Sequence, residues 1–139
     1  MHVVNGIGVS IGIAIVHASF TGLAGVHLAQ VALIGAVCAS LADQPNTVDR
    51  VWNRVLAAGL LASAAAAMVT LLEPWPIALA AGIAVFASIG AMAMAWGPRA
   101  GPLSFAPLLS IVFTMGLPLA VRLSPLATAG CTMAGALVY

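Results

Sequence analysis

Long uncharged runs set the pattern of this chain. Residues 1–42, 55–72, 74–98, 100–121 and 123–139 contain no Asp, Glu, Lys or Arg. Within them apolar residues do not alternate, and they do not form a single stripe. A stretch such as LLASAAAAMVTLL (60–72) is apolar on every side of a helix. A membrane-crossing helix needs about 20 such residues, with a range of about 17–25. Each of the last four runs is one helix long and the first is long enough for two, broken at SFTGLAG (19–25) by Gly22, Gly25 and the polar Thr21. The pattern therefore predicts an all-α, polytopic membrane protein of six spans, at roughly 3–20, 25–42, 53–72, 75–96, 102–121 and 124–139. Short connections predict three antiparallel helical hairpins in one transmembrane domain covering 1–139. EPWP (73–76) and WGPRAG (96–101) read as turns, since proline lacks a donor and disfavours helix at the preceding residue. Trp52, Trp75 and Trp96 fall at span ends, where indole favours the headgroup interface. A β-barrel would show segments of about 10 residues alternating apolar and polar, and a soluble bundle would keep one polar face on each helix.

Composition and charge sharpen this picture. Of 139 residues, 63% are hydrophobic and 5% are charged, against roughly 25% charged in a soluble domain. With no Lys and a net charge of +1 there is no basic patch for nucleic acid. Four of the seven charged residues, Asp43, Asp49, Arg50 and Arg54, crowd into SLADQPNTVDRVWNR (40–54). That window reads as an anchor: Asn46 caps the third span, Asp49 sits favourably at a helix N-terminus, and Arg50, Trp52 and Arg54 meet lipid headgroups. Arg99 anchors the next loop on the same side. Three arginines there against Arg122 on the other side make the first side cytoplasmic, with both termini cytoplasmic. Residues 1–25 lack the basic start and cleavage site of a secretory signal. Cys38 and Cys131 lie within spans and read as small packing residues. IGAVCAS (34–40) and IGAMAMA (89–95) form a faint internal repeat, each closing a hairpin.

Candidate chemistry is sparse. The fifth span carries Pro107, Ser110, Thr114 and Pro118, with Arg122 beyond it, at spacings that keep them on one broad face. The prolines deprive the carbonyls of Leu103 and Thr114 of their usual helical donors, and in hydrocarbon such groups need another partner or a wet cavity. Ser110, Thr114 and Arg122 are thus a candidate substrate path, with Arg122 drawing a carboxylate to the outer mouth. The alternative is that Ser110 and Thr114 pack against a neighbouring helix while Arg122 snorkels to headgroups. The first span has a small polar face of Ser10, Ala14, His17 and Thr21, plus a GxxxG at Gly8 and Gly12. His17, His27 and Gln30 form a candidate proton relay, the alternative being hydrogen-bonded structural histidines. The three histidines have no metal-site spacing, and no metal or other cofactor is expected. There is no paired-carboxylate site, G-x-S-x-G or P-loop, so the chain is not expected to be an enzyme.

GAVCASLADQPNTVDRVWNRVLAAGLLASAAAAMVTLL (35–72), followed by a fourth span ending AWGPRAG (95–101), resembles the membrane half of the fusaric acid resistance (FUSC) family. These proteins are also called aromatic acid exporters, with the plant aluminium-activated malate channels as distant relatives. The shared pattern is a small-residue helix entering an Asp- and Pro-containing loop, a helix with basic residues at its start, a proline-marked outer turn and a GPR inner loop. The similarity extends over most of residues 6–121. It implies a six-helix unit in the bacterial inner membrane that exports small organic anions, often aromatic carboxylic acids, in some members with a periplasmic adaptor protein. Family members are typically longer, with a cytoplasmic domain and often a second six-helix half. The expectation is therefore a homodimer, or a fragment or half of a longer transporter. A membrane-embedded scaffold or assembly subunit without transport of its own is the alternative.

Overall fold

The computed structural model describes residues 2–42, 48–95, 101–118, 121 and 123–139. It contains six helices: α1 (His2–Ala24), α2 (Val26–Ala42), α3 (Val48–Leu72), α4 (Pro76–Met94), α5 (Gly101–Gly116) and α6 (Pro125–Val138). No strand occurs among the described residues. This is the all-α architecture that the uncharged runs predict. α1, α3 and α4 contain segments long and apolar enough to cross a membrane, while α2, α5 and α6 contribute shorter apolar segments.

Local chemistry explains most helix ends. α1 runs through Thr21 and Gly22, past the expected break, and stops at Gly25, whose φ of +88° lies in the left-handed region that glycine adopts freely. α4 and α6 carry proline in the first turn. Ser124 caps α6, its hydroxyl accepting from the Ala127 N–H at 3.4 Å. α5 stops at Gly116, about a turn before the end expected at 121, because Pro118 cannot continue the ladder. Pro118 therefore follows α5, and the Thr114 carbonyl is not left empty: it accepts from the Leu117 N–H at 3.3 Å. Pro107 does lie inside α5. The proposed Asn46 cap and Trp96 lie outside the described residues, as do the side chains of Asp43 and Asp49.

α2, α3, α5 and α6 form the centre. α2 packs on α6, α3 and α5; α3 packs also on α5 and α6. α1 lies against α2 and touches α6, and α4 lies against α5 and α3. The first two expected hairpins are packed pairs, whereas α5 and α6 make no contact among the described residues. Exchanging α1 with α4, α2 with α5 and α3 with α6 turns every packed pair into another packed pair, except α2–α3, whose counterpart α5–α6 is open. The bundle is thus a pseudo-repeat of three helices, not the two-helix repeat hinted at by IGAVCAS and IGAMAMA.

The interior is built from small residues. Ala29, Ala32, Ala36 and Ala39 of α2 and Ala58, Ala62, Ala65 and Ala66 of α3 are buried, while the largest fully buried side chains are only valine, threonine, cysteine and serine. Large apolar residues lie outside: Leu23, Ile77 and Leu126 are 90, 87 and 88% exposed. Water would not support this inside-out distribution. It suits lipid, where close backbone approach by small residues drives helix association. The tightest seam is α2–α6. A β-carbon on Gly35 would strike the backbone of Thr132, and one on Gly135 the backbone of Ala32.

Candidate functional site

Hydroxyl groups are the main polar resource of this bundle, and several are satisfied within their own helix. Ser10 donates to the Gly6 carbonyl, Ser40 to Val37, Ser63 to Leu60, Ser88 to Ala84 and Thr132 to Thr128. Thr70 reaches the carbonyls of Ala66 and Ala67. Such back-bonding is the ordinary fate of Ser and Thr inside a helix. Ser110 differs: it is fully buried, and its hydroxyl crosses to the Ala62 carbonyl of α3 at 2.7 Å. Nearby, the Cys38 thiol of α2 donates to the Ala106 carbonyl of α5 at 3.3 Å. These two bonds tie α5 to α3 and α2.

Thr114 and Thr128 have no such partner. They are 4% and 1% exposed, and both hydroxyl oxygens are buried without a hydrogen bond. Both line one cavity of about 200 Å³. Its walls come from Val31 of α2, Val69 and Thr70 of α3, Glu73 in the turn after α3, Leu79 of α4, the end of α5 and the start of α6. Val121 and Leu123, in the connection between α5 and α6, complete it. A buried hydroxyl without a partner costs about 1–3 kcal/mol, so two at one cavity make it the candidate site for a polar occupant; the Thr21 hydroxyl and the Gln30 Oε1, also buried without partners, lie outside it.

The sequence-derived candidates separate in space. Ser110 and Thr114 share α5, but Ser110 faces the α3 backbone whereas Thr114 faces the cavity. Arg122 lies outside the described residues, although its neighbours Val121 and Leu123 both line the cavity. His17 and His27 are exposed. Gln30 is half-buried, its Oε1 has no partner, and it lines a separate open groove with Leu33, Val112 and Phe113. Neither histidine lines that groove. Among the anchoring residues, Trp52 is exposed and Arg54 half-buried, while Arg99 and the side chain of Arg50 lie outside the described residues. Gly12 approaches the Tyr139 ring, and Gly8 has open space around it. No group of three or more His, Cys, Asp or Glu stands together among the described residues.

Thr70, Glu73 and Thr128 were not singled out from the sequence. Thr70 and Glu73 lie three apart at the end of α3, hence on one face, and Thr128 lies in the second turn of α6. For Thr70 and Glu73 that spacing is the available signal; Thr128 stands alone in an apolar helix and offers none.

Comparison with known families adds the decisive observation. The profile of the FUSC-like inner membrane protein yccS matches residues 55–139, more than half of the chain. The chain belongs to the FUSC-like family. The match begins at Val55, beyond the Asp- and Pro-containing loop, and runs through α6 to Tyr139. The FUSC-like region therefore includes α4–α6, most of α3 and nearly the whole cavity wall; only Val31 lies outside it. No curated protein and no solved structure matches the chain. Membership in an inner-membrane family, together with the apolar helices, makes this a membrane protein, and membrane transport is the general function that the FUSC-like assignment suggests.

Proposed function

We propose that this chain is a subunit of a membrane transporter or channel for small organic anions, such as aromatic carboxylic acids, and that the cavity at Thr114 and Thr128 lies on the substrate path. The carrying observation is the pair of buried hydroxyls without partners facing a common cavity. Each offers one O–H donor, and together they can hold a carboxylate. Arg122, on the connection that closes the cavity, would draw the anion toward it. The substrate class comes from the family resemblance. In this reading the helices cross the bacterial inner membrane several times with both termini cytoplasmic, following the arginine distribution, and the chain carries out no catalysis. The exposed apolar faces of α1 and α4 meet lipid or a second copy, with a second six-helix half or a periplasmic adaptor completing the machine.

A scaffold subunit is the second reading, favoured by the glycine-packed α2–α6 seam. Thiol accessibility distinguishes the two. In a chain with Cys38 and Cys131 replaced by Ala, Thr114→Cys should react with a membrane-impermeant thiol reagent, and Ser110→Cys should not. An unreactive Thr114→Cys would mean a dry interior and favour the scaffold.

A further inference from the structure

The groove between α2 and α5 is a second space with an unmatched polar group. It has a volume of about 510 Å³, and Gln30 is its one polar side chain among the described lining residues. Val112 and Phe113 of its α5 wall are exposed, so in a bilayer the groove opens sideways to lipid. Concave, apolar space of this size with one polar group has the character of a small-molecule site. Acyl chains can fill it but cannot hydrogen-bond an amide. Gln30 offers an acceptor oxygen beside an N–H donor, and its Oε1 has no partner within the fold. The terminal torsion of glutamine is broad, so the amide can turn either atom to an occupant. Its complement is a group with one donor and one acceptor side by side. A protonated carboxyl group is such a group: its O–H donates to Oε1 and its carbonyl accepts from Nε2. A carboxylate only accepts, leaving Oε1 unmatched, and an ion among apolar walls is costly.

We propose that this groove binds the neutral, protonated form of a small organic acid from the bilayer, its carboxyl group paired with the Gln30 amide, and that the groove is a lateral entrance to the cavity. The binding goes beyond the proposed function, whereas the entrance role rests on it. Leu117 lines both spaces, and Val31 of the cavity directly follows Gln30 of the groove, so the two are neighbours. Their chemistry differs. Arg122 lies between two residues that line the cavity, whereas no described residue of the groove adjoins it in sequence. Phe113 gives an aromatic ring a face or edge to pack on. A β-carbon on Gly116 would meet nothing within 4 Å, so the groove has open space there.

Radiolabelled benzamide tests the binding, because it is uncharged and carries the same donor and acceptor pair. Saturable binding to the purified full-length chain in detergent is expected. Unlabelled benzamide should displace it, and benzenesulfonate, which stays ionised, should not. Gln30→Leu should weaken binding about tenfold or more through loss of both hydrogen bonds. Gly116→Leu should also weaken it, by filling the open space while leaving Gln30 in place. Leucine at position 30 removes an amide from apolar surroundings, and only variants that elute as the parent does in size exclusion are compared. Absence of saturable benzamide binding would overturn the proposal, as would binding indifferent to Gln30→Leu or equal displacement by benzenesulfonate. If Thr114→Cys is thiol-accessible while benzamide does not bind, the groove site fails and the transport reading stands. If benzamide binds in the Gln30-dependent way while Thr114→Cys is inaccessible, the groove site stands, and the transport reading and the entrance role fail.

Discussion

Gly135→Ala provides the sharpest test of the packing. Gly135 of α6 and Gly35 of α2 place backbone against backbone, and a β-carbon on Gly135 would land on the carbonyl of Ala32. That obstacle is helix backbone, so it cannot rotate away. The helices would have to part by on the order of 1 Å, which forfeits about a quarter to a half of the dispersion energy of each separated atom pair. Inserting a methyl into a tight core costs about 1–3 kcal/mol, occasionally more. Alanine returns about 0.8–1.0 kcal/mol through helix propensity. The seam is the most extensive helix pair in the bundle, so the upper part of the overpacking range applies and the net loss should be about 2 kcal/mol. At about 2–4 °C per kcal/mol for a chain of this size, Tm should fall by roughly 4–8 °C. Thermal unfolding in detergent, followed by circular dichroism, gives the readout. Gly22→Ala is the control, because nothing lies within 4 Å of a β-carbon there. It should leave Tm unchanged or raise it. If Gly135→Ala proves as stable as Gly22→Ala, the close α2–α6 seam is wrong.

Ser110→Ala should lower stability by about 1 kcal/mol through loss of the 2.7 Å bond to the Ala62 carbonyl, leaving solute flux in proteoliposomes unchanged; reduced flux at wild-type stability would return Ser110 to the substrate path. Arg122→Gln should reduce organic-anion flux in the same assay, and unchanged flux would remove Arg122 from that role. Trp75, 67% exposed at the start of α4, should be quenched more strongly by headgroup-level quenchers than by mid-bilayer ones. The reverse order would move that helix end into the hydrocarbon.

Helix number was legible because the sequence leaves charge only where the chain turns. The ends were less so. α5 carries no charge up to Arg122 and reads as continuous to 121, yet Gly116 and Pro118 end it a turn earlier through backbone chemistry. The candidate site was half legible. Ser110 and Thr114 are four residues apart and share a helical face, but burial alone cannot say which hydroxyl meets a backbone and which meets space. That depends on where α5 passes α3, a tertiary fact. Thr128 gave no signal, because an isolated threonine in an apolar helix usually bonds back to its own ladder, as Thr132 does. Much of the resemblance read from the sequence lies in the Asp- and Pro-containing loop, whereas the matched region begins after it, at Val55.

The position of the cavity follows from how the core is made. Alanine and glycine let α2, α3, α5 and α6 approach closely, and close approach leaves little room for polar space. One pair in the pseudo-repeat breaks the rule: α2 and α3 pack, but their counterparts α5 and α6 do not. The end of α5, the start of α6 and their connection are the segments that, with α3, wall the cavity. Closing that gap with small residues would have completed the symmetry and removed the polar space. Instead Pro118 ends α5 early, Ser124 and Pro125 start α6 afresh, and threonines without local partners face the opening. In the proposed transport reading, the one unsealed pair with two unpartnered hydroxyls, at about 1–3 kcal/mol each, is the feature that a scaffold would not require. A protein that must hold a polar solute inside an apolar bundle needs one such place, and that cost is offset when the solute supplies the missing hydrogen bonds.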